Sequence, residues 1–235
     1  MENVRHEELF LRKLSARYIQ DIGEILQLTQ QCINTAIIYM HVFYIHHTFV
    51  LYKYEDLGVV TIYLAAKVEE EQPKRFLESV IRASMKQNPG IMVSNIDAKD
   101  ERYIRYREKL LNIEIMLLIA INFQCNVVHP HTHIKKGCQL INAPIELKGA
   151  CLYLANKFLQ STIMCLKYTP ELLACACIKL ACEWMDYRII PLSDDQNWFS
   201  HIDPETTMDK IMSIKNEFLN TYKIIRKIEN THDKV

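Results

Sequence analysis

A lysine followed by paired acids stands at the end of an apolar helical stretch, in residues 64–70 (LAAKVEE). Val59, Tyr63, Lys67 and Glu70 are spaced four, four and three residues apart, so a helix places them on one face. A buried scaffold helix rarely needs such a lysine, because charged side chains are seldom buried without a partner. An ammonium group at the rim of a helix can instead donate hydrogen bonds to free backbone carbonyls of another protein. By itself this spacing is typical of solvated surface charges, and a protein-binding face is the alternative interpretation.

The sequence contains little that indicates catalysis or metal binding. It has no phosphate-binding glycine loop, no dinucleotide fingerprint and no Gly-x-Ser-x-Gly segment, so no catalytic residues are predicted. His129, His131 and His133 alternate ahead of Cys138, which are residue types that bind zinc. The histidines flank a proline at a predicted helix start, however, and no second ligand pair has suitable spacing. Entry into a helix is the favoured interpretation, and we expect no metal and no cofactor.

The composition limits the classes of protein to which this chain can belong. The chain has 235 residues, 49% of them hydrophobic, which is enough for two helical units of about 100 residues each. Lysine plus arginine equals aspartate plus glutamate at 28 each, whereas nucleic-acid binding usually needs a basic surplus. No apolar run reaches the length of about 18 residues that a membrane span requires. The polar N-terminus predicts no signal peptide, and the eight cysteines are expected to be reduced core residues.

Nearly every segment has the period of about 3.6 residues that is typical of helices. Thr29, Pro73 and the segments 169–171 (TPE) and 203–205 (DPE) provide helix start signals. The pattern predicts helices at about 8–27, 30–47, 55–70, 73–87 and 100–121, and again at about 131–142, 145–161, 169–186, 194–201 and 204–227. Two successive sets of five helices predict an all-α protein with a duplicated unit. We expect the units at 8–124 and 125–228, with flexible termini at 1–7 and 229–235.

The two five-helix units resemble the tandem cyclin boxes of the cyclin family, over roughly residues 9–227. Residues 33–41 (INTAIIYMH) and 64–70 (LAAKVEE) are similar to the transcriptional cyclins and not to those of the cell cycle. Four segments of the second half are similar to the cyclin T branch: 129–133 (HPHTH), 168–170 (YTP), 180–184 (LACEW) and 197–199 (NWF). The fold class implied by this resemblance is all-α, with two tandem five-helix cyclin boxes.

The resemblance also implies which residues contact a kinase. Lys67 and Glu114 match the lysine and glutamate that in this family hydrogen-bond the kinase backbone beside its mobile regulatory helix. Tyr63, Glu70 and Phe123 match positions that line the same contact. The first box is therefore predicted to be the kinase-binding unit.

The resemblance bears on four further positions. Arg12 matches the arginine that supports the packing of the first box, and Val42 stands where the family usually has an arginine, which removes a charge from the local ion pairs. Trp198 and Phe199 are expected to pack in a core. Their family counterparts lie near a groove that binds scaffold proteins, which keeps a scaffold-binding role open for both.

The function implied is that of a regulatory subunit, without catalytic residues of its own. The implied partner is a transcriptional cyclin-dependent kinase, foremost cyclin-dependent kinase 9, and the implied role is phosphorylation of the C-terminal repeats of RNA polymerase II in the nucleus during elongation. Elongation scaffold or inhibitor proteins are expected as further partners, and neither membrane nor direct DNA binding is expected. Two alternatives stay open: a cyclin of the K, L or C type with another kinase, and a DNA-binding factor of the transcription-factor-IIB type.

Overall fold

The computed structural model describes residues 2–71, 76–87, 100–189 and 197–232. Within these ranges the chain is helical and contains no strand, as predicted. The α-helices are α1 (Glu2–Ile25), α2 (Gln30–His46), α3 (Tyr54–Val68), α4 (Phe76–Gln87), α5 (Glu101–Ala120), α6 (Pro130–Leu140), α7 (Ile145–Ser161), α8 (Pro170–Trp184) and α9 (Met208–His232). Short 3-10 helices span Met164–Leu166 and Trp198–His201.

The chain divides into two compact units. Leu11–Val127 form one unit, and Val128–Val235 form the other together with Met1–Phe10. In the first unit α3 is central and packs against α2, α4 and α5, while α8 is packed in the same way by α6, α7 and α9 in the second. Ala65, Ala66 and Ala181 have no exposed surface. Small residues on the third helix of each half therefore lie where neighbouring helices pack most closely.

Two predicted helix starts are confirmed and one is wrong. The Thr29 hydroxyl accepts the Cys32 N–H at 3.3 Å, and the Thr169 hydroxyl caps α8 in the same way. The expected start at 203–205 fails because the Asp203 carboxylate accepts the Glu205 N–H at 3.0 Å and the Thr206 hydroxyl at 2.7 Å, which closes a local turn. Helix α9 begins only at Met208. The expected helix at 194–201 is a 3-10 helix over Trp198–His201, and the rest of it lies outside the described residues.

Five helices end in a Schellman motif, in which the residue after the cap adopts a left-handed conformation. That residue is never glycine in the part of the chain described here; it is Gln27, Glu70, Asn122, Asn142 or Asp186, each with φ between 49° and 56°. At the end of α3, for example, the Glu71 N–H donates to the Ala66 carbonyl at 2.9 Å. Glycine normally marks such ends. Its absence explains why the predicted helices extended to 27, 70, 142 and 186.

The first and last helices extend further toward the chain termini than predicted. Helix α1 begins at Glu2 and α9 continues to His232, although 1–7 and 229–235 were predicted as flexible termini. These residues include good helix formers such as glutamate and arginine but no apolar periodicity, so the pattern did not reveal them. Extending an existing helix adds one hydrogen bond per residue and avoids a new nucleus. The start predicted at Pro73 and the loop predicted after Asn88 lie outside the described residues.

Candidate functional site

Lys67 near the end of α3 and Glu114 in the middle of α5 lie against each other. The Lys67 Nζ is 2.5 Å from Glu114 Oε1, and their side chains are 34% and 10% exposed. Burial lowers the pKa of Lys67, but the hydrogen bond and the charge of Glu114 outweigh it, so the pKa is raised and the ammonium form is secured. The Nζ also lies 4.3 Å from the centroid of the Tyr63 ring. Three predicted site residues thus form one cluster.

Three consecutive acids follow this cluster, and they have different surroundings. Glu69 accepts the Thr35 hydroxyl at 2.9 Å and the Gln31 side-chain N–H at 2.7 Å. Glu71 accepts the Thr29 N–H at 2.9 Å and also the Thr29 hydroxyl. Glu70, between them, is exposed and makes no hydrogen bond or ion pair with any described residue. Its carboxylate is therefore available to a partner protein.

Phe123 lies just beyond the end of α5, at the C-terminal side of Glu114. Its side chain is 68% exposed and its φ is +57°, a conformation that is unusual for a bulky residue. The Phe123 N–H donates to the Leu118 carbonyl at 2.8 Å, which holds the turn. Glu70 and Phe123, two of the five predicted contact residues, both have left-handed backbone at the C-terminal end of a helix.

Two exposed apolar side chains of α5 were not singled out from the sequence. Ile115 and Ile119 are 55% and 52% exposed and lie four residues apart on this helix. Helical spacing of four places such residues on one stripe. The spacing of these residues is visible in the sequence, but their exposure is known only from the structure.

Arg12 is buried beneath α2 in the first unit. Its guanidinium donates to the Tyr44 carbonyl at 2.7 Å and to the His41 carbonyl at 3.0 Å, and it lies 3.5 Å from the His41 Nδ1. A cation near the C-terminus of a helix satisfies free carbonyls and complements the helix dipole. Arg12 thereby ties α1 to α2 in the part of the structure that has Val42 where the family usually has an arginine.

Trp198 and Phe199 are not on the surface. They are 8% and 4% exposed and belong to the hydrophobic core of the second unit, with their rings edge to face at 5.7 Å. The core packing expected for both residues is confirmed, because the 3-10 helix turns both rings inward, and the scaffold-binding role left open for them stays a prediction. The exposed aromatic side chains of this unit include Trp184 and Tyr153 instead, at 65% and 50%.

The described residues hold no cluster of three or more histidine, cysteine, aspartate or glutamate side chains arranged for a metal ion. His131 lies 2.7 Å from the Asn156 side-chain oxygen and His133 lies 3.3 Å from Glu171, so each contacts a neighbouring element. All eight cysteines are free thiols, and burial raises the pKa of Cys175 to about 12. Among the described helices none is long and apolar enough to span a membrane.

Comparison with known proteins agrees with this architecture. The family "Cyclin, N-terminal domain" matches residues 1–126, and "Cyclin-T2-like, C-terminal domain" matches residues 129–221. Cyclin-T of Drosophila melanogaster is 37% identical over 92% of this chain, and Cyclin-T2 of Homo sapiens is 35% identical over 97%. The chain spans 19% and 30% of the length of these two relatives.

A solved structure shares the fold at low sequence identity. The crystal structure of the yeast RNA Pol II CTD kinase CTDK-1 complex contains a chain with a TM-score of 0.71 and 16% identity. The match covers 94% of this chain and 67% of that one. The present chain therefore belongs to the cyclin family, whose members are regulatory subunits of protein kinase complexes and are not catalytic themselves.

Proposed function

We propose that this protein is the cyclin subunit of a transcriptional cyclin-dependent kinase, and that its kinase is of the cyclin-dependent kinase 9 type. The similarity to Cyclin-T proteins over most of the chain supports this role. The observation that carries the proposal is the Lys67–Glu114 pair in the first unit, whose helices are followed by exposed Glu70 at the end of α3 and exposed Phe123 at the end of α5. This surface offers charge, hydrogen-bonding groups and an aromatic side chain together.

Such a surface can activate a kinase without doing chemistry itself. Shifting a two-state regulatory helix from 1:99 to 99:1 needs about 5.5 kcal/mol of differential binding. Each hydrogen bond to a charged group contributes roughly 1.5–3 kcal/mol, and burial of a Phe123 side chain contributes about 1.5–3 kcal/mol. Two such bonds and one aromatic side chain are therefore sufficient in magnitude. The catalytic residues would all belong to the kinase.

The pairing of Lys67 with Glu114 refines this mechanism. The lysine has three N–H donors and the carboxylate has two oxygens, whereas their mutual contact uses one oxygen of Glu114. The pair therefore keeps hydrogen-bonding capacity for a partner while it is already oriented in the free cyclin. Pre-oriented side chains lose less conformational entropy on binding, which favours affinity.

The consequence of this role is phosphorylation of the C-terminal repeats of RNA polymerase II, in the nucleus, during elongation. Elongation scaffold or inhibitor proteins would join the complex on other surfaces. These assignments follow from the proposed partner.

The test is co-purification of the kinase with matched pair variants. Lys67→Ala with Glu114→Ala should abolish capture of cyclin-dependent kinase 9. The control is Asp56→Ala with Lys109→Ala, which removes another α3–α5 ion pair of the same 2.5 Å length, away from the proposed contact. The proposal fails if the first double variant binds as well as the wild type, or if both double variants lose binding equally while remaining folded. Mass spectrometry of the captured kinase distinguishes a kinase 9 partner from that of another transcriptional cyclin.

A further inference from the structure

The two acids that flank Glu70 are fastened to the N-terminal part of α2. Glu69 accepts hydrogen bonds from Thr35 and Gln31, and Glu71 accepts from the backbone and side chain of Thr29. We call Glu69 and Glu71 with these partners the acid clamp. The carboxylates lie near the positive end of the α2 dipole, which strengthens the contact. The clamp therefore fixes the chain on both sides of Glu70.

Glu70 needs such support, because its backbone is strained. Its φ of +56° is left-handed, and this conformation costs roughly 1–2 kcal/mol for a residue other than glycine. Strained backbone persists where the surrounding structure determines it. The Schellman bond from the Glu71 N–H to the Ala66 carbonyl and the last helical bond from the Glu69 N–H to the Ala65 carbonyl, at 2.9 Å each, supply part of that support. The side-chain contacts of the clamp add to these backbone bonds.

The result is an exposed carboxylate just beyond the end of the helix that carries Lys67. Glu70 follows Lys67 by three residues, two residues after the end of α3. If Glu69 and Glu71 were released from α2, the turn could relax and Glu70 would lose this fixed direction.

We propose that Glu69 and Glu71 are positioning residues for kinase recognition, which act by holding the strained turn that presents Glu70. This inference rests on the proposed function and adds the device that orients one of its contact residues. Neither flanking carboxylate needs to touch the kinase, because both are already occupied by α2.

A double-mutant cycle separates positioning from simple stabilisation. The variants are Glu69→Ala with Glu71→Ala, Glu70→Ala, and the triple variant, and the measurement is the Kd for purified cyclin-dependent kinase 9 by titration calorimetry. We expect the clamp variant to bind about tenfold more weakly than wild type, and we expect it to have no further effect when Glu70 is already alanine. Glu69→Gln with Glu71→Gln keeps one of the two acceptor oxygens that each carboxylate uses, so its affinity should lie between those of the clamp variant and the wild type. Glu101→Ala, which removes one exposed carboxylate from the same unit, is the charge-matched control for Glu70→Ala and should leave the Kd unchanged.

Hydrogen exchange of the Glu71 amide provides a second readout in the free protein. Its exchange should accelerate in the clamp variant, while amides of the core helices stay protected. If the double alanine variant does not fold, the single variants Glu69→Ala and Glu71→Ala enter the same cycle. The positioning role is overturned if the clamp variant weakens binding equally with and without Glu70, or if it binds as tightly as the wild type. Absence of wild-type binding overturns the proposed function as well, so the two failures are distinguishable.

Discussion

Lys67→Ala should destabilise the protein more than the double variant that also removes Glu114. The single change leaves a carboxylate that is only 10% exposed facing the space left by its partner. Breaking a fully buried pair costs about 3–5 kcal/mol, but Lys67 is 34% exposed, which lets water reach the site. We therefore expect a loss of about 2 kcal/mol, which corresponds to a fall in Tm of about 4–8 °C for a chain of this size.

The other variants of the pair should behave differently. Glu114→Ala leaves a lysine that can turn toward water, so its cost should stay below about 1 kcal/mol. The double variant removes both charges and should cost less than Lys67→Ala. Both Lys67 variants lose the contact with Tyr63, so the difference between them reports only the stranded carboxylate.

Urea unfolding followed by circular dichroism at about pH 7 measures these differences. The reasoning is refuted if Lys67→Ala and the double variant are equally stable.

Three further predictions concern the backbone and pH. Glu70→Gly and Gln27→Gly should each stabilise the protein by up to about 1 kcal/mol in thermal melts, because glycine adopts positive φ without strain. Only Glu70→Gly should weaken kinase binding, and equal effects of the two variants on binding would contradict a role for the Glu70 side chain. Gly58→Ala should cost about 1–3 kcal/mol, since the new Cβ would lie 2.8 Å from a buried tyrosine ring, whereas Gly149→Ala has open space and should stabilise α7 by about 0.5–1 kcal/mol. Changes of opposite sign in the free energies of unfolding would contradict this packing of the helices. Burial lowers the pKa of His131 below its ordinary value of 6.5, so the unfolded chain binds the proton more tightly than the folded protein, and the stability should fall as the pH drops below 6.5 toward the folded-state pKa. In urea titrations at several pH values, His131→Gln should reduce this pH dependence of stability, and an unchanged dependence would exclude His131 as its source.

Periodicity in the sequence was sufficient to predict the all-α fold and most helix positions. Starts capped by Thr29 and Thr169 were confirmed because the hydroxyl and the helix it caps are adjacent in the chain. Helix ends were harder to predict. Residues such as Gln27 and Asn142 adopt the left-handed conformation without the glycine that would have marked it, so the pattern ran past the true ends.

The sequence by itself determined which residue types occupy the proposed site, because the segment around Lys67 carries its distinctive types at helical spacing. Only the tertiary structure decided their partners. Lys67 meets Glu114 because α3 packs on α5, and Glu71 meets Thr29 because the end of α3 packs on the start of α2. Local spacing fixes the face of a helix, whereas the approach of residues far apart in the chain depends on how helices pack. Hence the sequence predicts Glu70 as a kinase contact, while the anchoring of its neighbours Glu69 and Glu71 depends on residues at the start of another helix.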